Sequence, residues 1–271
     1  MTRRRRLRRW LLFLVLLWAG PLAVLLWFEN ALVYRPTREL FAPPAGDVRD
    51  VWLASADGTR LHGWWLPHPD PAGAAVVAHG NGGNLSHRGP MAAELRDRLR
   101  LSVLLFDYPG YGRSDGSPSE VGCYHAGDAA YLWVTEAEKF PGERVLLVGE
   151  SLGGGVATDL AQRHPNRGLV LAKTFTSLPA VAKRQFPWLP THLLMANRFD
   201  NRFKIARLTT PVFIAHGTAD DLVPFAHAEE LYAAANPPKR LFRLEGQDHN
   251  AWLPAAFYEE LGRFLAENPL R

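Results

Sequence analysis

Val145-Leu146-Leu147-Val148-Gly149-Glu150-Ser151-Leu152-Gly153-Gly154-Gly155 decides how this chain is read. Four apolar residues run into a G-x-S-x-G pattern at Gly149–Gly153. Leu152, Val156 and Leu160 then recur at helical spacing until His164-Pro165. A serine in a tight turn between an apolar strand and a helix is the context of a nucleophile elbow. Such a turn is strained, so the positions two residues either side of the serine must be small, and Gly149 and Gly153 are the structural glycines that meet this need. The turn lifts the Ser151 hydroxyl above the sheet and aims the helix N-terminus at it. The five-residue pattern alone would also describe a glycine-rich turn with an incidental serine. The flanking strand and helix favour the nucleophile.

Outward from this point, apolar runs alternate with helical patterns. Val48–Ser55 and Arg60–Pro67 flank Ala56-Asp57-Gly58 as a hairpin. Further runs lie at Ala74–Ala78, Leu101–Phe106, Arg144–Val148, Leu169–Phe175, Pro211–Ala215 and Arg240–Leu244. Unbroken apolar runs of this length suit strands buried on both faces of a parallel sheet. Between them Met91, Leu95 and Leu99 mark one helix face, Ala228, Leu231, Tyr232 and Ala235 another, and Phe257, Leu261, Phe264 and Leu265 a third. A hairpin followed by β-α repeats predicts an α/β fold: a mostly parallel eight-stranded sheet with helices on both faces. Ligands in such sheets bind beyond the carboxyl ends of the strands.

A serine hydroxyl needs a base to act as a nucleophile near neutral pH. In this architecture the chain order is Ser, then Asp or Glu, then His. His216-Gly217-Thr218-Ala219-Asp220-Asp221 follows a strand and offers Asp220 or Asp221 as the acid. Gln247-Asp248-His249-Asn250 follows the last strand and offers His249 as the base. His216 reads as a residue that packs or bonds locally, and Asp248 as too close along the chain to face His249. The oxyanion of an acyl-transfer intermediate needs donors already in place. The backbone N–H groups of Leu152, next to the nucleophile, and of Asn81, in the glycine-rich turn after Ala74–Ala78, are the candidates. An ordinary strand-to-helix turn is the plainer reading of that second loop. No metal-ligand spacing is visible, Gly80–Gly83 lacks the G-K-[ST] of a phosphate loop, and the chemistry asks for no cofactor.

The ends of the chain differ sharply in character. Six arginines lie between Arg3 and Arg9; setting them aside leaves 25 Lys and Arg against 27 Asp and Glu, although the whole of the 271 residues carries +4. The near-neutral body offers no basic cluster for nucleic acid. With 47% hydrophobic residues the chain can bury a sizeable core, and a single cysteine, Cys123, excludes an intrachain disulfide framework. Trp10 to Phe28 holds no charged residue and spans ~28 Å as a helix, close to the bilayer core. The expected organisation is a basic cytoplasmic tail at 1–9, a transmembrane anchor at 10–28, a juxtamembrane connector at 29–46 and a catalytic domain at 47–271 with a small cap at 176–209. The arginines should stay cytoplasmic, with the catalytic domain extracytoplasmic. A cleaved signal peptide competes with the anchor, but no small-x-small site follows Ala19 or Ala23. Thr2-Arg3-Arg4 before Leu7 loosely resembles a twin-arginine signal.

Several motifs resemble the α/β-hydrolase superfamily, and more closely its single-pass membrane-anchored serine hydrolases. They are His79-Gly80-Asn81-Gly82-Gly83-Asn84 with Ser86-His87-Arg88, Asp107-Tyr108-Pro109-Gly110-Tyr111-Gly112-Arg113-Ser114, Phe175-Thr176-Ser177, and the Trp27–Tyr34 segment. The resemblance spans roughly residues 47–265. It implies that Asp220, fifth from His216 in an H-G-x-x-D pattern, is the acid beside Ser151 and His249, and that Asp107 to Arg113 shape the pocket. It also implies hydrolysis of acyl esters or thioesters, small or lipid-like, of the carboxylesterase, thioesterase or lipase kind (EC 3.1); protein partners are not implied. Two alternatives stand beside it: an exopeptidase or amidase on the same fold, with Glu150 as the only nearby anchor for a free amine, and a non-catalytic tethered binding module. The cap residues Phe186, Trp188, Leu189, Leu193, Leu194 and Met195 would suit an acyl chain, or would pack a helix onto the sheet.

Overall fold

A computed structural model describes residues 3–269. The outermost ends of the basic tail and of the catalytic domain as read from the sequence, residues 1–2 and 270–271, lie outside it. The chain begins with α1 (Arg3–Trp27) and α2 (Glu29–Val33), followed by the short strand β1 (Arg35–Pro36). Next come β2 (Arg49–Ala54), β3 (Arg60–Leu66), β4 (Gly73–Ala78), β5 (Gly82–Gly83), α3 (Gly89–Leu99), β6 (Leu101–Phe106) and α4 (Glu120–Leu132). The elbow region supplies β7 (Val145–Glu150) and α5 (Leu152–Arg163), followed by β8 (Gly168–Ala172). Three short helices occupy the region expected to be the cap: α6 (Leu178–Gln185), α7 (Thr191–Leu194) and α8 (Asn201–Ile205). The chain closes with β9 (Val212–Gly217), α9 (Ala226–Ala234), β10 (Lys239–Leu244) and α10 (Ala255–Glu267).

Eight strands form one sheet in the order β10-β9-β8-β7-β4-β6-β3-β2. The β2–β3 and β3–β6 pairs are antiparallel and the rest are parallel. The alternating direction of side chains along a strand divides the core in two. Val76, Leu104 and Leu147 point to one face and pack with Val156 of α5, Ile205 of α8 and Leu231 of α9. Val77, Leu105, Leu146 and Phe213 point to the other and pack with Leu95 of α3 and with Phe257 and Phe264 of α10. Every residue of β4, β6 and β9 is buried, as strands covered on both faces require.

The strands match the apolar runs within a residue or two, apart from one end. The run expected to reach Phe175 stops at Ala172, because Lys173 adopts φ 52° and leaves the strand. The sequence pattern did not reveal α4. Its buried residues are Cys123 and Tyr131 together with Gly122, Ala126, Gly127, Ala129 and Ala130, and so many small side chains blunt the hydrophobic stripe. Ser119 caps it by accepting a bond from the Gly122 amide.

The sheet order reverses at β4. Chain after β4 runs to β6 on one side, and β7 lies on the other. The loops leaving β4 and β7 therefore meet at the carboxyl edge, at the topological switch point where such sheets hold ligands. Ahead of the sheet, Arg8–Trp27 has a mean hydropathy of 2.2 and is long and apolar enough to cross a membrane.

Candidate active site

Ser151 sits between β7 and α5 with φ 51° and ψ −116°. This left-handed conformation is held from three sides. The Ser151 amide donates to the Ala172 carbonyl at 2.9 Å, and the Ser151 carbonyl accepts from the Gly154 amide at 3.0 Å and the Thr174 hydroxyl at 2.7 Å. A Cβ on Gly153 would run into the Ala78 carbonyl of β4, and one on Gly149 into the Gly153 carbonyl. Both glycines are needed because the elbow backbone lies directly on its neighbours.

Asp220 and His249 come to Ser151 from the ends of β9 and β10. His249 Nε2 lies 3.0 Å from Ser151 Oγ, and His249 Nδ1 lies 2.7 Å from Asp220 Oδ2. With Nδ1–H donating to the carboxylate, Nε2 is the acceptor for the serine hydroxyl. Asp220 is buried. Its Oδ1 accepts from the amides of Leu222 at 3.1 Å and Val223 at 2.8 Å. Burial pushes its carboxyl up, but bonds from His216, His249 and the Val223 amide outweigh this and hold it well below the usual range. His216 is buried, with Nε2 2.7 Å from the Val223 carbonyl and 3.2 Å from Asp220 Oδ2. Asp221 is exposed, and Asp248 faces away from His249, accepting from the amides of Asn250 and Ala251.

Asn81 and Leu152 both line a cavity of about 470 Å³ that reaches Ser151 and His249. The loop that carries Asn81 is braced from beneath. Tyr108 donates to the His79 carbonyl and Tyr111 to the Asn81 carbonyl, each at 2.7 Å. The buried Asp107 accepts from the Leu85 amide at 2.7 Å and lies 3.3 Å from His79 Nε2. Burial raises its carboxyl, and bonds from His62 and His79 more than reverse the shift. Asp107, Tyr108 and Tyr111 thus support the loop from below. Arg113, from the same motif, is half-exposed and pairs with Asp50 at the surface.

The sequence missed how residues 29–37 join this site. The Arg35 amide donates to the Asn81 carbonyl at 3.0 Å, and Asn81 Nδ2 donates to the Val33 carbonyl at 2.9 Å. β1 pairs in parallel with β5, next to Asn81. Glu29 is buried and accepts from the Asn197 amide at 2.7 Å, from Asn197 Nδ2 at 2.8 Å and from the Ala196 amide at 3.1 Å. Tyr34 donates to Asn197 Oδ1 at 2.6 Å. Glu29, Asn30 and Tyr34 stand within the quoted juxtamembrane segment, but nothing in the sequence points from them to Asn197.

A second cavity, of about 510 Å³, meets the first at Ser151 and is bordered by His87, Arg88, Glu150 and Trp252. Glu150 is ion-paired with Arg88 and offers no free carboxylate to an amine. Among the described residues no group of His, Cys, Asp and Glu could hold a metal ion.

A strand–serine–helix turn at the switch point of this sheet defines the class. A family model for the alpha/beta hydrolase fold matches residues 75–193. The alpha/beta hydrolase domain-containing protein WAV2 of Arabidopsis thaliana is 30% identical over 238 residues, covering 79% of this chain and 77% of that one. The chain belongs to the α/β-hydrolase family. It is also 38% identical over 244 residues to an uncharacterized Mycobacterium tuberculosis protein, Rv2307c, covering 88% of this chain and 86% of the relative. The Pyrococcus furiosus esterase Pf2001 shares the fold, with a TM-score of 0.72 at 19% identity over 87% of this chain and 97% of that one.

Proposed function

We propose that this protein is a serine hydrolase that cleaves acyl esters or thioesters, with Ser151 as nucleophile, His249 as base and Asp220 as the acid that orients it. The observation that carries the reading is the unbroken relay from Ser151 Oγ through His249 to Asp220, at 3.0 and 2.7 Å. Ser151 Oγ attacks the carbonyl carbon while its proton passes to His249 Nε2. The carbonyl oxygen takes up negative charge facing the Asn81 and Leu152 amides. As the tetrahedral intermediate collapses, His249 returns the proton to the departing alcohol or thiol, leaving an acyl-enzyme. Water then attacks the acyl carbon, its proton passes through His249 to Ser151 Oγ, and the carboxylic acid leaves. Asp220 keeps its charge throughout and stabilises the imidazolium.

The reading extends to placement. The apolar helix holds the enzyme in a membrane as a permanent anchor, its arginine-rich tail on the cytoplasmic side and the catalytic domain at 47–271 on the other. Ser151→Ala should abolish hydrolysis of p-nitrophenyl acyl esters by the full chain while circular dichroism and the unfolding midpoint stay unchanged. Undiminished turnover by that variant would refute the assignment.

A further inference from the structure

The apolar cavity at Ser151 has an unusual wall. Leu22, Leu25 and Leu26 of α1 line it, followed one turn on by Glu29 of α2. Their i, i+3, i+4, i+7 spacing puts them on one helical face. Leu178, Val181, Ala182 and Gln185 of α6 line the opposite side with the same spacing. Two stripes, one from α1 and one from α6, thus border a single space that reaches Ser151. Trp27 and Phe28 turn away from it and are exposed. Just beyond the end of α1 the chain is tied down, because Glu29, Asn30 and Tyr34 are all bonded to Asn197. On the cap, Trp188 and Leu193 are exposed, while their neighbours Leu189 and Leu194 line the cavity.

We infer that α1 is one wall of the acyl-binding site and that the substrate is a single-chain ester drawn from the bilayer that α1 crosses. This deepens the serine-hydrolase reading and rests on it. A chain lying beside the membrane helix can slide between the two leucine-bearing faces without entering water, which brings its carbonyl to Ser151. The cavity lies toward the small end of ligand sites, room for one chain rather than two. Each methylene received by these walls should raise kcat/KM about fourfold, equivalent to ~0.8 kcal/mol.

The test uses the full chain in phosphatidylcholine vesicles, with p-nitrophenyl acetate and dodecanoate as probes and a short fluorophosphonate to count folded sites. Leu26→Trp, which fills the cavity, should lower the dodecanoate-to-acetate ratio of kcat/KM at least tenfold per labelled site. Val24→Trp, on an exposed face of the same turn, should not. Leu26→Ala should shift the preferred chain length upward. Adding phospholipid at fixed total dodecanoate ester should slow turnover, because the ester is diluted within the bilayer. An unchanged ratio in Leu26→Trp, an equal fall in Val24→Trp, or turnover indifferent to added lipid overturns the inference. Wild-type protein inert toward both esters and the fluorophosphonate would instead sink the hydrolase reading beneath it.

Discussion

Ser151 occupies a backbone region that a residue with a Cβ enters at a cost of order 1–3 kcal/mol. Bonds from the Thr174 hydroxyl and the Gly154 amide to its carbonyl, and from its own amide to Ala172, hold it there, so the strain is met by the fold and the hydroxyl faces His249. At the same scale Asp220 does two jobs. One oxygen closes its own loop through Leu222 and Val223, and the other orients His249. Asp220→Asn should therefore keep the loop bonds to Oδ1 and lose the correct imidazole tautomer, lowering kcat toward p-nitrophenyl esters by roughly 10⁴-fold with little change in KM. Steady-state kinetics at neutral pH read this directly, and a fall of less than tenfold would remove Asp220 from the relay. Ser151 and His249, which the fold brings within 3.0 Å of each other, could be singled out in the sequence because each follows an apolar run. Spacing alone left Asp220 and Asp221 open and only the resemblance singled out Asp220, since adjacent carboxylates look alike until a loop turns one inward.

Among the elements, strands were read more surely than the contacts that fix loops. A strand buried on both faces announces itself by composition, whereas α4 packs mostly through glycine and alanine and leaves only a weak stripe. The bonds from Glu29, Asn30 and Tyr34 to Asn197 leave no local signature, because the partners are far apart along the chain. Truncating Asn197 would strand the buried Glu29 carboxylate with fewer donors, at a cost of about 1–3 kcal/mol for the unmet bonds. Asn197→Ala should lower the denaturant midpoint of the full chain accordingly. An unshifted midpoint would mean that the juxtamembrane helix only rests on the cap. Of the six residues read from the sequence in this region, Phe186, Leu189, Leu194 and Met195 line the cavity and Trp188 and Leu193 are exposed, while Leu178 and Val181 touch the core with part of their surface and line the cavity with the rest.

For the whole molecule, two buried carboxylates couple the site to acid stability. Asp107 and Asp220 both titrate below their unfolded value near 3.8. As pH falls through that value the unfolded chain takes up protons that the folded one still refuses, so stability drops. It is fully present above about pH 5 and is lost progressively below. Asp107→Asn should flatten the dependence between pH 5 and 3, at some loss of stability near neutrality. Urea titrations across that range measure the slope, and an unchanged slope would show that Asp107 does not contribute. The charge asymmetry between tail and body was plain from composition, as was the eight-stranded sheet. What composition could not tell was that α1 and the loops at the sheet's carboxyl edge line one cavity.

Glu29 and Asn197 are 168 positions apart. A ribosome adding about 5–20 residues per second makes the asparagine roughly ten to thirty seconds after the glutamate. During that interval the apolar N-terminal segment has already been made while the partner of Glu29 has yet to be translated. The cavity at Ser151 thus gains its tie between Glu29 and Asn197 late in biosynthesis, after most of its other walls have been made.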